Sequence, residues 1–419
     1  MPFSMSLTAL RRGWKCAILE REYNSAWCRL FHRKKKSRRH HMSSLLSRRQ
    51  LLNVAGLAAL AAALPRAAIA ALTNKAGSAG AAPVPARAPS VPRRVLGKSQ
   101  LTVPVISVGT GAGQSVAVLR YCLSQGINLI HTSTGYAAGR AIRNVGQAIK
   151  GQREKVVLAL KITWRADDLR AFDEALKQLG VDSVDLALFN LHDRREVKNP
   201  QYAKAAERLK KAQKTKAIGL TTHGDMAACM QEALDQGFYD VLMPSFNLTM
   251  KKECLPIFER AAKAGVGIIL MKTENGLGAL TYQKAIPVYL GLPGVATINK
   301  TITTFQQCDS LLSAAATPAA SADAHEVERL ARLTLAGHCT MCGACVAACP
   351  RGVAVADLVR CSDYYLSRAD YVTAVQDTLA ELPPHMGPQA CTKCGTCERV
   401  CPQHVPVCHH IQRIATVFG

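Results

Sequence analysis

Between residues 95 and 316, short apolar runs alternate with longer stretches in which apolar positions recur every three or four residues. The runs at 103–109, 128–131, 156–161, 186–190, 217–221, 241–244, 267–271 and 294–298 have the length and the Val, Ile and Leu content of buried strands. The stretches at 140–149, 167–179, 202–211, 226–236 and 254–264 carry a one-sided apolar face, the pattern of a helix packed on a sheet. A succession of eight such strands with intervening helices predicts an α/β fold, a (β/α)8 TIM barrel. An open, doubly wound sheet obeys the same periodicity. Past residue 316 the pattern changes. Two cysteine-rich runs flank segments 357–366 and 370–382, both of which read as helical. The expected architecture is a barrel followed by a mainly helical module.

Length agrees with that division, since 419 residues exceed one typical core. Residues 92–318 are expected to form the barrel and 325–419 the second domain. The earlier part of the chain has a different character. Ser47-Arg48-Arg49-Gln-Leu51-Leu52 precedes an apolar run from 54 to 64, and Ala68-Ile69-Ala70 supplies small residues for cleavage. A basic head, a short apolar body and a small-residue end make a signal peptide over 42–70, the apolar run being too short to span a bilayer. The paired arginines resemble the twin-arginine export signal. That route carries folded proteins, so the expected partner is the twin-arginine translocase and the expected location is the periplasm, or another compartment beyond the bacterial inner membrane. Residues 1–41 read as an upstream extension, with Met42 as an ordinary start. Residues 71–91, rich in Ala, Pro, Gly and Ser, read as a linker.

The net charge of +24 changes the picture little. Much of the excess precedes residue 50, as in Arg33-Lys-Lys-Lys-Ser-Arg-Arg39. Aromatics make up only 5% of the chain, so stacking platforms for single strands are scarce and no nucleic-acid partner is expected.

The cysteines are more informative. Cys339-Thr-Met-Cys342-Gly-Ala-Cys345-Val-Ala-Ala-Cys349-Pro350 recurs as Cys391-Thr-Lys-Cys394-Gly-Thr-Cys397-Glu-Arg-Val-Cys401-Pro402. Both runs have the C-x2-C-x2-C-x3-C-P spacing of two-cluster ferredoxins, in which the fourth cysteine ligates the other cluster. The assignment is therefore Cys339, Cys342, Cys345 and Cys401 to one 4Fe–4S cluster, and Cys391, Cys394, Cys397 and Cys349 to the second. Paired zinc sites would use four thiolates each, but leave the third cysteine and the Cys-Pro without a reason. The match is to the dicluster ferredoxin family. The long insert between the motifs resembles the helical variety found inside larger oxidoreductases. The other eight cysteines show no paired spacing.

Several segments of the barrel region also carry a resemblance. They are Arg94-Val-Leu-Gly-Lys-Ser-Gln-Leu-Thr-Val-Pro-Val105, Gly109-Thr-Gly111, Gly126-Ile-Asn-Leu-Ile-His-Thr-Ser-Thr-Gly-Tyr136, Val157-Leu-Ala-Leu-Lys161, Asp185-Leu-Ala-Leu-Phe-Asn-Leu-His192 and Lys216-Ala-Ile-Gly-Leu-Thr-Thr-His223. Together they resemble the aldo/keto reductases. The resemblance implies NADP(H) across the barrel mouth and a small-molecule carbonyl or related substrate. It also implies a catalytic tetrad with tyrosine at Tyr136, lysine at Lys161 and histidine at His192. A phenol is a poor acid at neutral pH, and a neighbouring ammonium eases its proton transfer. The fourth position departs, because the family's aspartate falls on His131, which cannot hold a lysine charged as a carboxylate does. The family's nicotinamide-binding pair falls on Thr221 and Thr222, and Met243-Pro-Ser-Phe246-Asn247 replaces its usual motif after strand six. Met271 stands where the nicotinamide-stacking tyrosine is expected. Lys272 and Lys300 remain as phosphate contacts. A buried lysine such as Lys161 needs a partner wherever it sits. His223 reads as a loop or cap residue, and a three-histidine metal site from His131, His192 and His223 is a weaker alternative.

These features predict an exported iron–sulfur oxidoreductase. Its cofactors would be two 4Fe–4S clusters, with NADP(H) possible. Its partner would be an electron donor or acceptor protein, or a quinone-linked carrier. One tension stands out: clusters pass single electrons, a nicotinamide passes hydride, and no flavin-binding glycine fingerprint is present to join them. The alternative is an electron-relay or ligand-binding protein with a catalytically degenerate barrel.

Overall fold

The computed structural model describes residues 91–111, 113–163, 168–274, 277, 279–318, 323–335, 337–367, 371–375 and 378–418. The signal, the linker up to residue 90 and the upstream extension lie outside the described residues. Residues 87–419 form one compact unit. Among the described residues no helix is long and apolar enough to cross a membrane.

The first two strands, β1 (Arg93–Val95) and β2 (Thr102–Pro104), pair antiparallel as a hairpin. The next eight are β3 (Ile106–Gly109), β4 (Leu129–Ser133), β5 (Val157–Ile162), β6 (Val184–Asn190), β7 (Thr215–Thr222), β8 (Val241–Pro244), β9 (Gly267–Met271) and β10 (Val295–Thr301). They close as a parallel barrel in the order β10-β3-β4-β5-β6-β7-β8-β9. The sequence reading joined 103–109 into one strand. The structure breaks it at Val105, since Pro104 has no amide hydrogen for a central ladder and ends the hairpin instead.

Alternation along the strands builds two cores. Leu129, Ala159, Leu186, Leu188, Ala217, Val241, Met243 and Ile269 fill the barrel interior, with Leu96 and Val103 of the hairpin region packed among them. The intervening residues, such as Ile130, Leu158, Leu160 and Leu242, face the surrounding helices. Each fully buried aliphatic side chain contributes about 1.5–3 kcal/mol. The hairpin is tied down by Arg94, whose guanidinium donates to Leu290 O at 2.6 Å and Val295 O at 2.7 Å.

The same period of two aims polar groups at the upper end. His131 and Ser133 follow Leu129 on one face of β4, and Lys161 follows Ala159 on β5, with Ser133 opposite Lys161 in register. The second domain packs over this end, where barrel chemistry is usually placed. Its central helix, Val355–Ser362, is buried throughout. A single π-type turn follows over Asp363–Ser367, then short helices Tyr371–Val375 and Leu379–Glu381. The expected helix over 370–382 is thus broken into pieces. One of those pieces carries a carboxylate into the barrel.

Candidate active site and cluster cradles

Lys161 is buried at the end of β5, and its Nζ lies 2.5 Å from Oε2 of Glu381. The other oxygen of Glu381 accepts from Ser133 Oγ at 3.2 Å. Nζ also sits 4.4 Å from the centre of the Tyr136 ring and hydrogen-bonds that side chain. Burial opposes the ammonium, but Glu381 and Tyr136 outweigh it and raise the lysine above its ordinary value. A carboxylate from the second domain therefore reaches the tyrosine–lysine pair.

His192 is held the same way. Its Nδ1 lies 3.1 Å from Oδ2 of Asp357, whose other oxygen is 2.5 Å from the Arg360 guanidinium. Burial disfavours the imidazolium, yet Asp357 raises His192 above the usual histidine value. Burial likewise opposes the Asp357 carboxylate, while Arg360 and His192 keep it ionised. Two further contacts complete the seam: Lys272 Nζ donates to Tyr364 OH at 2.7 Å, and Asn247 Nδ2 donates to Thr340 O at 2.6 Å. A Cβ on Gly343 would come within 2.1 Å of Asp225 N, so only glycine lets the first cysteine run approach the loop after β7 so closely.

Between the two domains lies a cavity of about 250 Å³. His131, Tyr136, His223, Lys272, Glu274 and Asn299 line it from the barrel, and Arg360, Tyr364, Thr373 and Thr378 from the second domain.

The two cysteine runs fold alike. Met341 and Lys393 both adopt left-handed backbone, as do Gly343 and Gly395, and short helices Ala344–Ala347 and Thr396–Arg399 follow. Backbone amides turned inward in this way form a nest suited to a negatively charged group. Cys339, Cys342, Cys345 and Cys401 surround one small cavity, walled by Ala356, Val359, Val405 and Val407. Cys349, Cys391, Cys394 and Cys397 surround a second. The Met341 amide donates to Cys339 Sγ at 3.4 Å and the Val405 amide to Cys401 Sγ at 3.5 Å. Four motif thiols and apolar walls in each cavity, with N–H···S donors at the first, fit a 4Fe–4S cluster in each. Cys408, which the spacing left unassigned, also lines the second cavity, 4.0 Å from Cys397.

Residues 109–317 match the Aldo/keto reductase family, and residues 336–405 match the 4Fe-4S dicluster domain. The barrel segment is thus similar to the aldo/keto reductases and the cysteine-rich segment to the dicluster domains. The chain is 32% identical to Aldo-keto reductase YhdN of Bacillus subtilis (strain 168) over 27% of its length and 38% of that protein's. It is 39% identical to Methylglyoxal reductase YeaE of Escherichia coli (strain K12) over 18% of its length and 28% of that protein's. The matches thus span well under half of these curated relatives. In fold it is similar to the holo form of aldo-keto reductase AKR11C1 from Bacillus halodurans, with a TM-score of 0.51 and 18% identity over 58% of this chain and 96% of that one.

Against that family pattern, the structure brings Tyr136, Lys161 and His131 together, and His192 is near enough to Lys161 for the two charges to oppose each other. Neither Lys161 nor His192 lines the cavity directly, and His192 Nε2 lies 3.4 Å from Asn190 Nδ2. His223 takes a place in that wall, with Nδ1 2.6 Å from Ser245 Oγ. No group of three histidine, cysteine or acidic side chains among the described residues is drawn in tightly enough for a single ion, so the three-histidine alternative is not formed there.

The residues expected at nicotinamide do not fit an extended dinucleotide. Thr221 and Thr222 are fully buried and bond to Met271 Sδ at 3.9 Å and Gly224 O at 2.8 Å. Asn247 holds Thr340 of the cluster domain. Lys300 is paired with Glu274 at 2.6 Å. Of the five, Lys272 alone lines the cavity. The cavity itself is smaller than the roughly 300–1,000 Å³ usual for drug-sized ligands. What the sequence reading missed was Glu381, Asp357, Arg360 and Tyr364. The one available signal was Lys161 itself, a buried charge with no carboxylate nearby in the barrel sequence.

His131 stands at the family's aspartate position without holding Lys161 charged, as expected of an imidazole there. Its ring lies 6.1 Å from that of Tyr136. Burial, then the charges of Lys161 and Lys272, lower its pKa to about 3, so the imidazole is neutral. A histidine with a depressed folded value contributes stability above its unfolded value near 6.5, and loses it as pH falls towards the folded one. Stability should therefore fall on acidification from about pH 6.5, at up to roughly 1.4 kcal/mol per unit. His131→Asn should lack that component in melting curves taken across pH 3–7. Parallel curves for the two chains would refute it.

Proposed function

We propose that this chain is an iron–sulfur oxidoreductase that interconverts a small carbonyl compound and its alcohol in a barrel site completed by its own cluster domain. Two 4Fe–4S clusters, when bound, supply or accept electrons singly, in exchange with a carrier protein or quinone-linked partner. The observation that carries the reading is the Lys161–Glu381 pair. The family's proton-donating pair is kept, and the carboxylate it lacks comes from the electron-carrying domain. In this reading reduction of the carbonyl takes two electrons and two protons: Tyr136 gives the proton at the substrate oxygen, and solvent water gives the one at carbon. Lys161, held charged by Glu381, stabilises the phenolate that results. The helix Val355–Ser362 serves both sites, since Ala356 and Val359 wall the first cluster cavity while Asp357 and Arg360 turn to the barrel.

The test uses the full chain, anaerobically prepared and chemically reduced. Adding small aldehydes and 2-oxo acids should restore the oxidised cluster absorbance as alcohol forms. Tyr136→Phe should slow this by about 10²–10⁴-fold. NADPH-driven turnover that survives removal of iron would overturn the proposal.

A further inference from the structure

Six buried side-chain polar atoms among the described residues have no hydrogen-bond partner, and three of them belong to the wall of one cavity. They are His131 Nε2, Glu274 Oε2 and Arg360 Nε. Each such atom is costly when left unmet. Their gathering at the seam between barrel and cluster domain marks a place built for a polar occupant.

The charges say which kind. Four cations stand at or just behind the wall: Lys161, Lys272, Lys300 and Arg360. Three carboxylates answer them, in the pairs Lys161–Glu381, Lys300–Glu274 and Arg360–Asp357. Lys272 instead meets the phenol of Tyr364, which burial pushes up but Lys272 and Arg360 pull below its usual value. One positive charge is left over, and Asp357 is already shared with His192. A single negative charge on the occupant balances the site. Lys272 is partly buried, and a charge in such a place gains from a counter-charge. Glu274 Oε2 accepts only, so it calls for a donor on the same molecule, whereas Arg360 Nε–H calls for an acceptor.

We propose that this cavity binds a small hydroxy- or oxo-carboxylate. The carboxylate lies against Lys272 and Arg360. The hydroxyl or carbonyl oxygen lies by Tyr136, from where the alcohol form can also donate to Glu274. This deepens the oxidoreductase reading and rests on it only for the position of the reacting oxygen. The limited volume confines the class to molecules of a few carbons.

Calorimetry on the oxidised, cluster-loaded full chain tests it directly. Lactate, pyruvate and glyoxylate should bind, and lactamide should bind roughly 10–100-fold more weakly, the worth of one charge-assisted contact. Lys272→Met should bring lactate down to the lactamide level. Lys272→Arg should keep the preference, and the exposed Lys252→Met should change nothing. Intact cluster absorbance in each variant guards against misfolding. Equal affinity for lactate and lactamide, or no binding by any of them, which would mean a cavity filled by water only, overturns the proposal. Carboxylate binding without substrate-driven cluster reoxidation would leave this site standing and remove the oxidoreductase reading. Reoxidation with no preference for the carboxylate would do the reverse.

Discussion

Glu381→Gln should unfold more readily than the wild type by about 3–5 kcal/mol, the usual result of removing one partner of a buried ion pair. The side chains of Lys161 and Glu381 are only 2% and 7% exposed, so water cannot replace the lost charge. The pH dependence below about pH 10 should change as well, from none to a rising one. In the wild type, Lys161 is raised above its ordinary value. Its contribution is therefore complete below the unfolded value near 10.4 and is lost only as pH rises through the higher folded one. Without Glu381, burial dominates and depresses the lysine. The folded chain then binds fewer protons than the unfolded chain, and stability grows with pH up to about 10. Turnover should fall with the loss of a fixed ammonium beside Tyr136, by about 10²-fold or more. The double variant Lys161→Met/Glu381→Leu should regain most of the stability and none of the activity, because a matched apolar pair removes the stranded charge. Chemical melts across pH 6–10 on the three chains decide it. A Glu381→Gln chain with the stability and pH slope of the wild type would mean that the contact does not hold in solution.

Cys349→Ser should remove the cluster of the other motif. The wild type, purified anaerobically, is expected to hold about eight irons, four per cube. Cys349 is the last cysteine of the first motif but lines the cavity formed by Cys391, Cys394 and Cys397. Its loss should leave about four irons, and the paramagnetic spectrum of the reduced chain should resemble that of Cys394→Ser and differ from that of Cys342→Ser. Cys408 stands 4.0 Å from Cys397 in the same cavity. Partial retention of the second cluster in Cys349→Ser should therefore disappear in Cys349→Ser/Cys408→Ser. A Cys349→Ser spectrum matching that of Cys342→Ser would overturn the crossed arrangement.

The barrel was legible because its information is periodic and local. Strands β8 and β9 occupy the residues expected of them, and helices Arg140–Ile149 and Met226–Gln236 match the predicted spans. The break at Val105 was missed because an apolar run continues unbroken across it, and only the pairing partners differ. The cluster motifs were legible for a related reason: fixed spacing within a few residues brings three thiols to one cube, and the repeat of the motif supplies the fourth.

The site was legible only in half. Tyr136, Lys161 and His131 were found through the family resemblance, whose motifs place them at or just beyond the upper ends of strands. His192 was found as a residue, yet its partner Asp357 comes from the second domain. The groups that complete the site come from far along the chain: Glu381 lies 220 residues beyond Lys161, and Asp357 lies 165 beyond His192. No periodicity connects such positions. The sequence by itself determined the barrel, the two cysteine runs and the need of a buried Lys161 for a counter-charge. Only the tertiary structure decided who meets that need. Burial makes an unpaired charge intolerable wherever it occurs, but docking alone brings Glu381 within reach, and the same docking closes the barrel mouth over the positions where a nicotinamide was expected.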